Sequence, residues 1–203
     1  MSALRLGVLI SGSGTNLQAI IDAIEAGELD ATAVVVISNR EVARGLDRAR
    51  QHDIEALFLD PTAFDSPAAY NAALRDELLA REVDLVVMAG YMKLLGVSVL
   101  EAFPNRVVNL HPALLPSFPG ANGIRDAFEA GVKVTGITVH FANELFDEGP
   151  IIAQVPVPIA EDDTLESLEV KIHAAEHALY PAVIQLIAEG RVSVEGRKVR
   201  IAP

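Results

Sequence analysis

The chain has 203 residues, 51% hydrophobic and 22% charged, with a formal net charge of −12 and no cysteine. That length buries a real core in one large or two small domains, and no long like-charge run marks disorder. The acidic balance disfavours nucleic-acid backbones as partners, and the missing cysteine excludes disulfides, thiolate catalysis, zinc fingers and iron–sulfur clusters.

In chain order, strand alternates with helix. "LRLGVLI" (4–10) reads as a strand after an N-terminus with no basic leader. Residues 16–27 read as a helix, with Leu17, Ile20, Ile21 and Ile24 at helical spacing and Gly27 as its stop. "TAVVVIS" (32–38) is a β-branched run that suits a strand buried on both faces. A short helix (45–52) and a strand (55–60) follow. Ser66 caps a helix with Pro67 at its first position, running to about Arg81. "DLVVMAG" (84–90) is the fourth strand, and a helix near 97–103 leads into "VVNLH". This alternation predicts crossover connections and a Rossmann-like, mostly parallel twisted sheet with helices on both faces.

The second half differs. "KVTGITVHF" (133–141) and "IIAQVPVPI" (151–159) are strands around an acidic loop. A long C-terminal helix begins at Thr164, with a kink expected at Pro181 and its end at Gly190. Residues 192–201 read as a terminal hairpin turning near Glu195 and Gly196. No stretch reaches the ~18 apolar residues of a membrane span. The expectation is a soluble cytoplasmic protein with no membrane and no nucleic-acid partner.

In open α/β sheets, ligands sit beyond the carboxyl ends of the strands. Four such ends carry unusual residues: "SGSGTN", "AGYMKLL", "NLHPALLP" and "NELFDEGP". In "SGSGTN" (11–16), Gly12 and Gly14 permit a sharp turn and close approach of backbone to an anion at the following helix start. The dinucleotide fingerprint needs a third glycine where Leu17 stands and an acid where the chain reads "SNR"; the P-loop lysine is also missing. A monophosphate is the expected ligand, and a glycine-rich turn that only packs is the lesser, competing reading.

Asn109 and His111 are two residues apart, so strand geometry points both to one face. An amide and a protonated imidazole together offer an oxyanion site for a reacting carbonyl. A polar strand end that satisfies its own loop is the competing reading. If Asp147 approaches His111, its charge raises the histidine pKa and keeps a general acid available near neutral pH. Spacing alone favours an acidic surface loop, with Glu144, Asp147 and Glu148 all candidates. "HAAEH" (173–177) matches an inverted zinc-protease motif. It is rejected as a metal site because no third ligand is evident and Pro181 follows closely. His173 and His177 read as a helix face, with Glu176 either solvated or reaching a polar substrate. His52 reads as a helix end, and His140 as a strand residue near the site.

The combination "LISGSGTNLQAII", "VVMAGYMKLL", "NLHPALLPSFPG", "TVHFANELFDEGPII" and "EHALYP" resembles the phosphoribosylglycinamide formyltransferases, over about residues 4–190 and in the same order. The resemblance implies a single formyltransferase domain over 1–203, with a phosphate-binding half (1–105) and a folate-binding, catalytic half (106–203). It implies transfer of a formyl group from 10-formyltetrahydrofolate, as cosubstrate and without metal, to the amine of phosphoribosylglycinamide in purine biosynthesis. By the same resemblance Asn109, His111 and Asp147 are catalytic. Gly12, Ser13, Gly14, Thr15, Asn16 and Glu176 bind the ribonucleotide. Met92, Lys93, Leu94, Leu95 and Asn109, with Phe141, Ala142, Asn143 and Glu144, line the folate pocket. The partners implied are these small molecules, on a monomer or homodimer. Lys93 stands where the family usually has Arg, Asn122 where many members have His, and no Arg lies near Pro67. Formyltetrahydrofolate deformylases share the core but usually carry an N-terminal regulatory domain, for which a first strand at residue 4 leaves no room. Methionyl-tRNA formyltransferases add a C-terminal RNA-binding domain. A non-catalytic phosphoribosyl-binding module is the reading from outside enzymology.

Overall fold

The computed structural model describes residues 3–145 and 147–203; Phe146, part of the "NELFDEGP" segment, lies outside the described residues. Among the described residues the architecture is mixed α/β, with nine strands in mostly parallel pairing. The chain folds as two compact units, divided between Val108 and Asn109.

The first unit contains β1 (Leu4–Ile10), α1 (Thr15–Glu25), β2 (Ala31–Ser38), α2 (Arg44–Gln51), β3 (Glu55–Phe58), α3 (Pro67–Ala80), β4 (Leu85–Met88) and α4 (Val97–Ala102). A single 3-10 turn, Pro61–Ala63, precedes α3. The strand order is β3-β2-β1-β4, and the β1/β2, β1/β4 and β2/β3 pairings are parallel. Val35, Val36 and Ile37 are all fully buried, so β2 is covered on both faces, as its β-branched run requires. Leu17, Ile20 and Ile21 of α1 are buried; each such side chain stabilises the fold by about 1.5–3 kcal/mol. The buried stripe ends on Ala23, with Ile24 half-buried. The Ser66 hydroxyl accepts the Ala69 N–H at 3.1 Å, with Pro67 at the first helical position.

Register decides where the loops emerge. Ile10 is level with Ser38, Leu9 with Met88, and Ser38 with Phe58. The carboxyl ends of β1, β2 and β4 therefore finish together, and so do the loops that follow them.

Strand β5 (Val107–His111) spans the division between the units. The second unit holds α5 (Gly123–Glu129), β6 (Val134–Phe141), β7 (Ile151–Pro158), α6 (Leu165–Ala188), β8 (Val192–Glu195) and β9 (Lys198–Ile201). Its strand order is β6-β7-β9-β8, antiparallel for β6/β7 and β8/β9 and parallel for β7/β9. The hairpin turns at Gly196, whose φ is 62°. Thr164 caps α6 in a reciprocal capping box with Ser167, and the helix continues through Pro181. The α5 helix is absent from the sequence-based expectation. It has seven residues, too few for a helical period to emerge, and Gly123 and Gly131 at its ends read as loop.

Candidate active site

Three loops of the first unit meet through Ser11. Its hydroxyl donates to Asn39 Oδ1 at 2.6 Å and accepts the Met92 N–H at 2.9 Å, while its own N–H donates to the Gly90 carbonyl at 3.1 Å. One buried side chain thus ties the turn after β1 to those after β2 and β4. Beyond it, Gly12 and Ser13 are exposed. Gly14 precedes α1 with φ 71°, left-handed backbone that glycine adopts without a Cβ penalty. Adding a Cβ there would bring it 2.7 Å from Gly45 Cα, so α2 and the loop touch backbone to backbone. The loop therefore offers its N–H groups with little side chain in the way, as anion binding at a helix start needs.

The segment after β4 is an exposed apolar edge. Met92 and Leu94 are 56% and 43% exposed, while Leu95 is buried. The Lys93 ammonium lies 5.6 Å from the centre of the Tyr70 ring, and the Tyr70 and Tyr91 hydroxyls share a hydrogen bond of 2.7 Å.

In the second unit, Asn109 and His111 share one face of β5 and both meet Asp147. His111 Nδ1 is 3.4 Å from Asp147 Oδ2, with the two side chains only 4% and 7% exposed. Asn109 Nδ2 is 3.4 Å from Asp147 Oδ1 and 3.2 Å from His140 Nε2. His140 Nδ1 is 3.0 Å from the Phe141 carbonyl, and its Nε2 also lies 3.6 Å from Asp147 Oδ1. Asp147 Oδ2 also accepts the Gly120 N–H at 2.8 Å. The loop between is held by Thr138. Its hydroxyl donates to the Ala113 carbonyl at 2.7 Å and accepts the Leu115 N–H at 3.1 Å. Asp147 itself has φ 56°, an uncommon left-handed conformation for a residue with a side chain, though one that Asp tolerates better than most.

His111 Nε2 faces the Phe118 carbonyl at 2.8 Å, so both ring nitrogens look at acceptors, a setting that only the imidazolium satisfies fully. Burial nevertheless wins. It pushes the His111 pKa below its ordinary 6.5, and His140 pushes the same way, against the upward pull of Asp147 and of the Phe118 carbonyl. This corrects the expectation that His111 is kept available as a general acid near neutral pH. The carboxylate does pull upward, but in a site this dry desolvation of the cation costs more. For Asp147 burial pushes the pKa up, and hydrogen bonds from His140 and Gly120 with the charges of His111 and His140 outweigh it, leaving the pKa below 3.8. The reading of this segment as an acidic surface loop is also corrected. Glu144 and Glu148 are exposed, while the Asp147 side chain is buried against two histidines.

Of the other expected residues, Phe141 is buried, Ala142 and Asn143 are half-buried, and Glu144 is exposed. Glu176 is 5% exposed on α6, which removes its solvated reading. The His173 and His177 rings stack with centroids 6.4 Å apart. Asn122 stands at the start of α5 without a side-chain capping bond. Sequence reasoning gave no role to Phe118, Gly120 or Gly123, and only an open one to His140. A Cβ on Gly123 would come 3.1 Å from His111 Nε2 and 3.2 Å from the Phe118 oxygen, so this glycine leaves room for the imidazole. His140 lies at a register shift between β6 and β7, where bulges re-aim side chains.

Residues 4–184 match the family model described as "Formyl transferase". The phosphoribosylglycinamide formyltransferase of Bacillus subtilis is 41% identical over 181 residues, 89% of this chain and 93% of the relative. The chain belongs to the formyl transferase family, among its phosphoribosylglycinamide formyltransferases. The crystal structure of glycinamide ribonucleotide transformylase 1 from Symbiobacterium toebii superimposes on this formyltransferase with a TM-score of 0.97 at 53% identity, covering 100% of this chain and 95% of that one. A formyltetrahydrofolate deformylase from Pseudomonas syringae is similar at 27% identity and a TM-score of 0.91, covering 98% of this chain and 66% of that one. The formyltransferase is thus an enzyme of one-carbon group transfer, and among its described residues no helix is long and apolar enough to cross a membrane.

Proposed function

We propose that this formyltransferase moves the formyl group of 10-formyltetrahydrofolate onto the amine of phosphoribosylglycinamide, in the cytoplasm, as a step of purine biosynthesis. The names of its relatives support the amine substrate. The chemistry rests on one observation, the cluster of half-buried Asn109 with the buried side chains of His111 and Asp147. In this reading the loop 12–16 holds the ribonucleotide phosphate and Glu176 its sugar. The segment 92–95 and residues 141–144 line the folate.

The amine attacks the formyl carbon as a neutral nucleophile; an α-amino group titrates near 7.7–8.0, so a useful fraction is free at pH 7. The new C–N bond forms and the carbonyl pair moves onto oxygen. The Asn109 contact to Asp147, at 3.4 Å, is longer than a good N–H···O bond, so that hydrogen is available to the oxyanion. His111 begins neutral because burial holds its pKa down. The oxyanion adds a second negative neighbour and draws the ring toward its charged form. His111 then takes the proton that the amine must lose and returns it, directly or through water, to the folate nitrogen as that C–N bond breaks. Asp147 stabilises the imidazolium in between.

The test is to incubate the protein with 10-formyltetrahydrofolate, with and without phosphoribosylglycinamide. Formyl loss only with the amine present supports transfer. Loss without the amine supports the deformylase reading, which the resemblance to the Pseudomonas enzyme keeps in view. No loss in either mixture means a binding module.

A further inference from the structure

The loop 12–16 is held by a side chain that none of the expected site residues includes. Arg48 of α2 donates from Nε to the Ser13 carbonyl at 2.9 Å and from Nη1 to Gln18 Oε1 at 3.0 Å. One helical turn earlier, the Gly45 N–H donates to the Gly12 carbonyl at 3.1 Å. Both loop carbonyls are therefore turned toward α2. A trans peptide is planar, with its C=O and the next N–H on opposite sides. Fixing the carbonyls of Gly12 and Ser13 on α2 directs the N–H groups of Ser13 and Gly14 the other way.

Gln18 is itself oriented. Its Nε2 donates to Asp22 Oδ1 at 2.8 Å and meets His52 Nε2 at 3.1 Å, and His52 Nδ1 meets Glu25 Oε1 at 2.6 Å. With both amide hydrogens taken, Oε1 is the atom that faces Arg48. The guanidinium is a planar fork with fixed directions. Holding a carbonyl on α1's leading loop and an amide on α1 itself, it locks the loop to its helix.

We infer that Arg48 is a positioning residue for the substrate phosphate, aiming the Ser13–Gly14 peptide so that its N–H faces the anion. The inference rests on the proposed reaction, in which loop 12–16 holds that phosphate. Arg48 acts through the loop, so its effect depends on the substrate carrying a phosphate.

The experiment measures kcat and KM for phosphoribosylglycinamide and for its dephosphorylated nucleoside, with the wild type, Arg48→Ala, Arg48→Lys and Gln18→Ala. Arg48→Ala raises KM for the nucleotide by about tenfold, the scale of one charge-assisted hydrogen bond. It leaves kcat, the folate KM and the nucleoside kcat/KM near wild type. Arg48→Lys recovers part of the loss, since one ammonium replaces a two-armed fork. Gln18→Ala gives a smaller rise with the same selectivity. Equal losses on both substrates in Arg48→Ala, or an unchanged nucleotide KM in a variant that melts as the wild type does, overturn the role of Arg48. If Arg48→Ala does not fold, Arg48→Lys and Gln18→Ala decide by the same ratio. A wild type that uses the nucleoside as well as the nucleotide overturns the phosphate reading of the loop itself.

Discussion

The loop after β1 and the cluster after β5 solve different physical problems. The loop presents backbone. Its glycines keep side chains away, its carbonyls are turned onto α2, and what remains is a set of N–H donors in fixed directions. The cluster presents side chains that can change charge, namely two histidines and a carboxylate, all buried. Backbone donors have no pKa, so the loop's contribution is set by geometry alone. In the cluster, burial, hydrogen bonds and neighbouring charges compete, and the winner differs between residues. Burial controls His111, whereas bonding and charge control Asp147.

The contrast can be broken in several places. His111→Ala or Asn109→Ala is expected to lower kcat by about 10²-fold or more, as removal of an oxyanion-site donor does, with little change in nucleotide KM; near-normal turnover would remove the cluster from the chemistry. Gly14→Ala places a Cβ against Gly45 Cα at a φ of 71°. Left-handed backbone costs a residue with a Cβ roughly 1–2 kcal/mol, so KM for the nucleotide should rise about tenfold while kcat holds. A fall in kcat alone would show that the loop is not a separate binding element.

Asp147→Asn tests the electrostatics. Asp147 pulls the His111 pKa upward, so without its charge the limb of the pH–rate profile assigned to His111 moves to lower pH. An unmoved limb would detach Asp147 from His111. Stability should follow the same pKa. Because the folded state holds His111 below 6.5, the unfolded chain binds that proton first. Stability is therefore lost as pH falls below 6.5, at no more than about 1.4 kcal/mol per pH unit. His111→Gln should flatten that part of an acid titration followed by denaturant melts. Ser66→Ala is the smallest change. Losing that cap costs about 1 kcal/mol and should lower the melting temperature with kinetics untouched; altered kinetics would tie α3 to the site.

The two regions were also unequally legible in the sequence. "SGSGTN" declared itself because a strand, two glycines and a helix start are local, and local geometry is what periodicity and turn chemistry encode. Asn109 and His111 shared a strand face for the same reason. Asp147 could not be chosen over Glu144 and Glu148 from spacing, since its choice depends on which carboxylate the turn after β6 buries. Phe118 and Gly120 act through backbone atoms, which residue identity does not advertise. Arg48 carries no signal in the sequence, because its carbonyl partner lies 35 residues earlier. The direction of the His111 pKa escapes the sequence for a related reason: the depth of burial is a tertiary quantity.

The backbone of Asp147 has a consequence for how that residue should be studied. At φ 56° it occupies a region where Asn and Asp are several-fold enriched and most other side chains are strained. An alanine there changes two things together, removing the carboxylate and adding a torsional penalty to the turn that supports it. Asparagine keeps the backbone preference and deletes only the charge. Scanning this position with alanine would credit electrostatics with a cost that belongs partly to the Ramachandran map, and the difference between the two substitutions separates them.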